Sequence, residues 1–168
     1  MKKFKLILVT ITLIFSACLI SGCSQNKEVK EDTNQKEEKK SVAGVLTQQF
    51  KDEIKNENDI QKVATSIAKN KVLPIEVDVA KLGKEDYISG FQTEIKGFDQ
   101  AVVIRPMIGS IPFIAYIFET EDADGFSKKL KSNADLRWNI CTEADDMEVA
   151  VVDHYVFFVM SPKSFDQE

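Results

Sequence analysis

The sequence predicts an α+β fold: two N-terminal helices, then a mainly antiparallel four-stranded sheet in the order β-β-α-β-β, with the helices packed on one face. Two observations carry this expectation. Apolar residues recur at helical period twice between residues 42 and 68, and two later pairs of apolar runs are each split by turn-forming residues.

Val42, Val45, Leu46, Phe50 and Ile54 fall at offsets 0, 3, 4, 8 and 12, which places them on one side of a first helix. Ile60, Val63, Ala64, Ile67 and Ala68 do the same for a second helix. Asn58 is the expected cap of that helix, with Gln61 three residues on, and Pro74 lies beyond its end. The next stretch gives mixed signals. Ile75, Val77 and Val79 alternate with acidic residues as in a short exposed strand, whereas Tyr87, Ile88, Phe91, Ile95 and Phe98 sit among Gly90 and Gly97 as in a turn of helix or a packed loop.

Residues 100–105 and 111–119 read as two strands joined by a turn at Pro106, Gly109 and Ser110. The run from Phe113 to Phe118 has no polar alternation, so the second of these strands is expected to be buried on both faces, with Pro112 near its start. Thr120 or Asp122 can cap a helix with Ala123, Phe126 and Leu130 on its apolar side and Lys128, Lys129 and Lys131 toward its C-terminal end. Residues 147–152 and 154–160 then flank Asp153 as a closing hairpin.

Ahead of this domain stands a basic, then apolar leader. Lys2, Lys3 and Lys5 precede a run from Leu6 to Ile20 that only Thr10, Thr12 and Ser16 interrupt, and Leu19-Ile20-Ser21-Gly22-Cys23 closes it in the manner of a bacterial lipobox. The expectation is a signal peptide over residues 1–22, cleavage between Gly22 and Cys23, and a thioether-linked diacylglyceryl group on Cys23. An uncleaved spanning helix would need about 18 or more apolar residues, and this run is shorter and ends in Ser-Gly. Two or three palmitate-like acyl chains would hold the protein on a bilayer, where a single chain binds only marginally. Cys18 lacks the aliphatic residue before it that a lipobox requires, and it leaves with the leader.

Residues 23–41 form the lipidated cysteine and a charged tether. From Ser24 to Ser41 the chain carries five Lys and five acidic residues with Val29 as its single aliphatic, too little apolar surface to offset chain entropy. Residues 42–168 make one domain of 127 residues with 14 Lys plus Arg against 22 Asp plus Glu, a net charge of −8. That balance argues against nucleic acid and against flat docking on anionic lipid. Lys outnumbers Arg 20 to 2 in the whole chain, as in proteins of AT-rich genomes, and this fits a low-GC Gram-positive bacterium. The domain then faces outward from the cell membrane. Cys141 is its one cysteine, so no internal disulfide can form.

Gly109-Ser110-Ile111-Pro112-Phe113, Leu136-Arg137-Trp138-Asn139-Ile140-Cys141-Thr142-Glu143-Ala144-Asp145 and Phe157-Phe158-Val159-Met160-Ser161-Pro162 together resemble a family of uncharacterised lipoproteins of Gram-positive bacteria. The resemblance implies a place in the cell envelope and carries no catalytic or binding residue with it.

Three constellations invite a chemical reading. Arg137, Trp138 and Cys141 stand within five positions, and a functional reading makes Cys141 a nucleophile or redox thiol with His154 as its base. The plainer reading, which burial statistics favour, puts Trp138 and Cys141 in the core and pairs Arg137 with a carboxylate. The sole histidine, His154, reads as turn chemistry. Asp122-Ala123-Asp124-Gly125 resembles part of a calcium loop, but aligning Gly125 puts Thr120 at the first ligand position and Lys131 at the twelfth, where a bidentate Glu is needed. Glu143, Asp145, Asp146 and Glu148 are weak candidates for a hard cation, with a solvated acidic loop as the commoner explanation. One cysteine and one histidine make a poor zinc site. No nucleophile elbow, phosphate-binding Gly loop or internal repeat occurs, and no cofactor is expected.

The sequence thus predicts a membrane-anchored extracytoplasmic binding or protein-interaction module. An envelope protein is its candidate partner, and any small-molecule ligand is unidentified. The alternative is a thiol- or metal-dependent envelope enzyme using Cys141 and His154 or the acidic loop. Exposed apolar side chains for binding are expected in the segment from Tyr87 to Phe98 and in the turn Met107-Ile108-Gly109-Ser110.

Overall fold

Each helix begins at a polar cap where its apolar stripe starts. In the computed structural model, which describes residues 40–165, helix α1 (Val42–Glu53) opens at Ser41, whose Oγ accepts the Gly44 N–H at 3.1 Å. Its buried residues Val42, Ala43, Leu46, Thr47 and Phe50 line one side. Helix α2 (Ile60–Ile67) is capped by Asp59 instead of the expected Asn58. The Asp59 carboxylate accepts the N–H groups of Gln61 and Lys62 at 2.9 and 3.4 Å, while the Asn58 carbonyl is taken by the Tyr155 hydroxyl at 3.2 Å. Helix α3 (Ala123–Asn133) is capped by Asp122 through Gly125 at 2.9 Å. Thr120, the other candidate, is buried and donates its hydroxyl to the Gly97 carbonyl at 2.7 Å. All these residues belong to one compact unit, Glu38–Glu168. Gly22, Cys23 and the tether up to residue 39 lie outside the described residues.

The sheet is antiparallel throughout and has five strands, not four: β1 (Val77–Leu82), β2 (Gln100–Pro106), β3 (Ile114–Glu119), β4 (Asp146–Val152) and β5 (Tyr155–Ser161), in spatial order β1-β2-β3-β5-β4. The added strand is β1, built from the alternating stretch that begins near Val77. It pairs along its whole length with β2, from Val77 opposite Pro106 to Leu82 opposite Ala101. After β3 the chain crosses by α3 to the far edge and returns as the β4–β5 hairpin, which seats β5 beside β3, with Ile114 opposite Met160 and Glu119 opposite Tyr155. The turn of that hairpin is Asp153-His154, and Asp153 adopts a positive φ of 52°, which Asp tolerates better than most residues.

The helices cover both faces of the sheet, and the expectation of a one-faced arrangement is corrected. On one face α1 and α2 bury Val102, Ile104, Ala115, Ile117, Phe157 and Val159. On the other, α3 and the segment from residue 83 to 99 bury Val103, Tyr116, Phe118, Val156, Phe158 and Met160. Alternate side chains of each central strand therefore enter different cores, and that is why β3 and β5 read as unbroken apolar runs. Aromatic rings join the layers: Phe50 stacks on Phe157 with centroids 5.1 Å apart, and Phe91 tilts against Phe158 at 4.6 Å.

The segment of mixed signals is a packed loop. It sends Ile88, Phe91, Ile95 and Phe98 into the second core and is pinned to the end of α3 by Gln92 N–H to Asn133 O at 2.8 Å and Asp135 N–H to Gly90 O at 3.0 Å. Gly90 has φ 92°, and a β-carbon there would stand 2.8 Å from the Met160 methyl, so both backbone and space require glycine.

Candidate functional site

At the end of the sheet where β2 runs out and β3 begins, two loops face each other across a groove of about 560 Å³. One is the β2–β3 connection, residues 107–113. The other is the stretch between α3 and β4 that holds Trp138 to Cys141. Side chains of the second fasten the first: the Asn139 amide donates to the Gly109 carbonyl at 2.7 Å and to Ile111 O at 3.4 Å, and the Thr142 hydroxyl donates to Ser110 O at 2.9 Å. Within the second loop, Trp138 N–H to Asp135 O at 3.1 Å and Thr142 N–H to Asn139 O at 3.1 Å fold two successive turns. The groove is lined by Ser89, Arg105, Ile111, Phe113, Ile114 and Trp138, among others, and its mouth carries Ile140 and Cys141.

The two loops expose large apolar side chains. Ile140 is 99% accessible, and Met107 and Ile108, in the turn where exposure was expected, are 66% and 65% accessible. These three, with Tyr87, are the large apolar residues left in water among the described residues. Of these, Ile140 lines the groove, whereas Met107 lines a separate depression with Ile75, Val77 and Val79; an exposed apolar side chain beside an apolar concavity is a mark of a recognition surface. Arg105 at the groove donates to Asp78 Oδ2 at 2.9 Å, so its charge is already partnered.

The floor is rigid. Tyr116, buried on β3, donates to the Ser89 carbonyl at 3.1 Å and shares a 3.0 Å hydrogen bond with the Ser89 hydroxyl. Burial pushes the Tyr116 phenol up to about 12, with the Ser89 bonds opposing the shift.

Cys141 and His154 do not meet. Cys141 is exposed at the groove, whereas His154 lies in the β4–β5 turn, its Nε2 3.8 Å from Glu119 at the opposite end of β3. The five residue steps from Ile114 to Glu119 put roughly 17 Å between those ends. The expectation that Cys141 is a core residue is also corrected: the loop turns its thiol outward, and Trp138 alone packs, half-buried, against the second core. Arg137 does pair with a carboxylate, Glu143, at 3.7 Å, although both side chains are mostly in water.

The acidic residues are dispersed as well. Glu143 faces Arg137, Asp145 accepts the Lys163 N–H at 3.1 Å, Asp146 accepts the Met147 N–H at 2.9 Å, and Glu148 stands in β4 beside Gly44 of α1. Among the described residues no three His, Cys, Asp or Glu side chains converge on a point that could hold a metal ion. No described helix is long and apolar enough to cross a membrane. The turn Met107-Ile108-Gly109-Ser110, which the sequence marks, contributes Gly109 and Ser110 to the groove, but Ile140 and the Asn139 clamp carry no local signal that distinguishes them from core.

No protein-family model matches the chain, and no curated protein or solved structure matches it.

Proposed function

We propose that the chain is a lipid-anchored binding module of the cell envelope, held on the extracytoplasmic face of the membrane through acylated Cys23, whose groove between the Met107–Phe113 and Trp138–Cys141 loops receives an apolar portion of an envelope protein. The observation that carries the binding role is a concavity lined by Ile111, Phe113, Ile114, Trp138 and the fully exposed Ile140, whose two walls are hydrogen-bonded to each other. The anchor rests on the basic leader and the lipobox ending at Cys23. The resemblance to envelope lipoproteins of Gram-positive bacteria supports the same location.

Site-specific photo-crosslinking in intact cells tests the reading. A crosslinker at Ile140 or Ser110, both lining the groove, is expected to give one defined adduct, which a crosslinker at Lys62, on the exposed side of α2, does not give. Adducts absent at the groove, or identical at all three positions, would contradict it.

A further inference from the structure

A second pocket, of about 320 Å³, opens at the root of the domain beside the start of α1, far in character from the groove. Val42, Val72, Pro74 and Phe165 give it an apolar floor, and Lys40, Lys71 and Lys163 stand around it. Among the described residues no carboxylate lines it, although acidic residues outnumber basic ones 22 to 14 over residues 42–168. None of the three ammonium groups has an ion-pair or hydrogen-bond partner among the described residues; the Lys163 backbone, not its side chain, makes the bonds that hold this segment, to Val42 and Asp145. The contrast with the depression around Lys84 and Lys96 is informative. That one is also lined by Glu85, Asp99, Glu121 and Asp122, and Lys84 is bound to Asp99 at 2.8 Å.

Three like charges brought together with no counter-ion among the described residues repel one another and are screened by water; an anion that enters gains attraction from all three. The N-terminus of α1 adds its positive dipole end, with no acidic residue in the first turn. The size and the apolar floor suit more than a bare ion. We infer that this pocket binds a phosphate group carried on a partly apolar or polymeric scaffold, with Lys40, Lys71 and Lys163 on the phosphate oxygens and Val72 and Phe165 against its apolar part. This does not depend on the groove or on the anchor.

The test uses the full chain in neutral maltoside micelles, following backbone amide resonances. Titration with inorganic pyrophosphate probes soluble phosphate, and doping the micelles with phosphatidylglycerol, against phosphatidylcholine as control, probes a lipid headgroup. Saturable shifts at Val42, Val72 and Phe165 in either arm are expected, at least tenfold weaker in the double variant Lys71→Gln/Lys163→Gln and unchanged in Lys84→Gln. A response to pyrophosphate assigns the site to soluble or polymeric phosphate, and a response to phosphatidylglycerol alone assigns it to lipid. No saturable shift in either arm, or equal shifts in the double variant, would overturn the inference. Both lysines are exposed, so their substitution leaves the fold intact, and an unchanged amide spectrum without ligand verifies this.

Discussion

Asn139 holds Gly109 across the groove: its side-chain amide donates to the glycine carbonyl at 2.7 Å, linking loops that lie thirty residues apart in the chain. Together with the Thr142 hydroxyl on Ser110 O, it fixes the distance between the two walls of the groove. Asn139→Ala removes this bond and the longer one to Ile111. The expected result is a loss of about 1 kcal/mol, felt locally as a several-fold faster amide exchange in residues 107–113 with little change in the global melting temperature. Exchange unchanged in that loop would show that the clamp does not set its geometry.

The exposure of Cys141 predicts ready modification. In the folded chain its thiol should react with a maleimide at a rate within about tenfold of that in denaturant, since no packing shields it. A bulky adduct there should also reduce crosslinking from Ile140, because the two residues share the groove mouth. A thiol inert until unfolding would mean that the loop covers it.

Stability should fall at alkaline pH through Tyr116. Its phenol is raised from an ordinary value of 10.0 to about 12, so the folded state keeps a proton that the unfolded chain releases. The contribution is fully present below pH 10 and is lost as pH rises from about 10 to about 12, amounting to roughly 2–3 kcal/mol across that window. Urea titrations at a series of pH values should show this slope, and Tyr116→Phe should flatten it. Tyr155, also raised by burial and then by Glu119 and Asp153, acts in the same direction.

One buried hydroxyl works against the fold. Thr47 is 2% exposed on the inner side of α1, and its Oγ1 has no hydrogen-bond partner. Thr47→Val keeps the shape and removes the unmet polar atom, and it should stabilise the domain by about 1 kcal/mol in chemical denaturation. Destabilisation would point to a bonded hydroxyl.

Much of the secondary structure was legible because burial on one side leaves a period: the stripes of α1 and α2 and the runs of β2, β3 and β5 all stand where their apolar residues place them. Two misreadings have physical causes. β1 is an edge strand whose side chains are only partly buried, so its alternation is weak, and its partner β2 supplies the pairing that local sequence cannot show. The helices lie on both faces of the sheet, not one, as the run from Phe113 to Phe118 implies. A strand apolar on both faces needs cover on both, and the second cover comes from α3 together with an irregular loop that has no period at all. At the groove, Trp138, Ile140 and Cys141 share the composition of a core segment. Only the turns made by Asp135 and Asn139 send Ile140 and Cys141 outward, and turn geometry is not written in hydropathy.

The lipid anchor proposed at Cys23 is tested most directly by the mass of the mature N-terminal peptide. From membranes of cells producing the C-terminally tagged protein, the peptide should begin at Cys23 and carry a diacylglyceryl group, with further mass where the new amino terminus is acylated. Cys23→Ala should retain the leader and lack the lipid. A mature chain that begins at Met1, or one that begins elsewhere without lipid, would contradict the account.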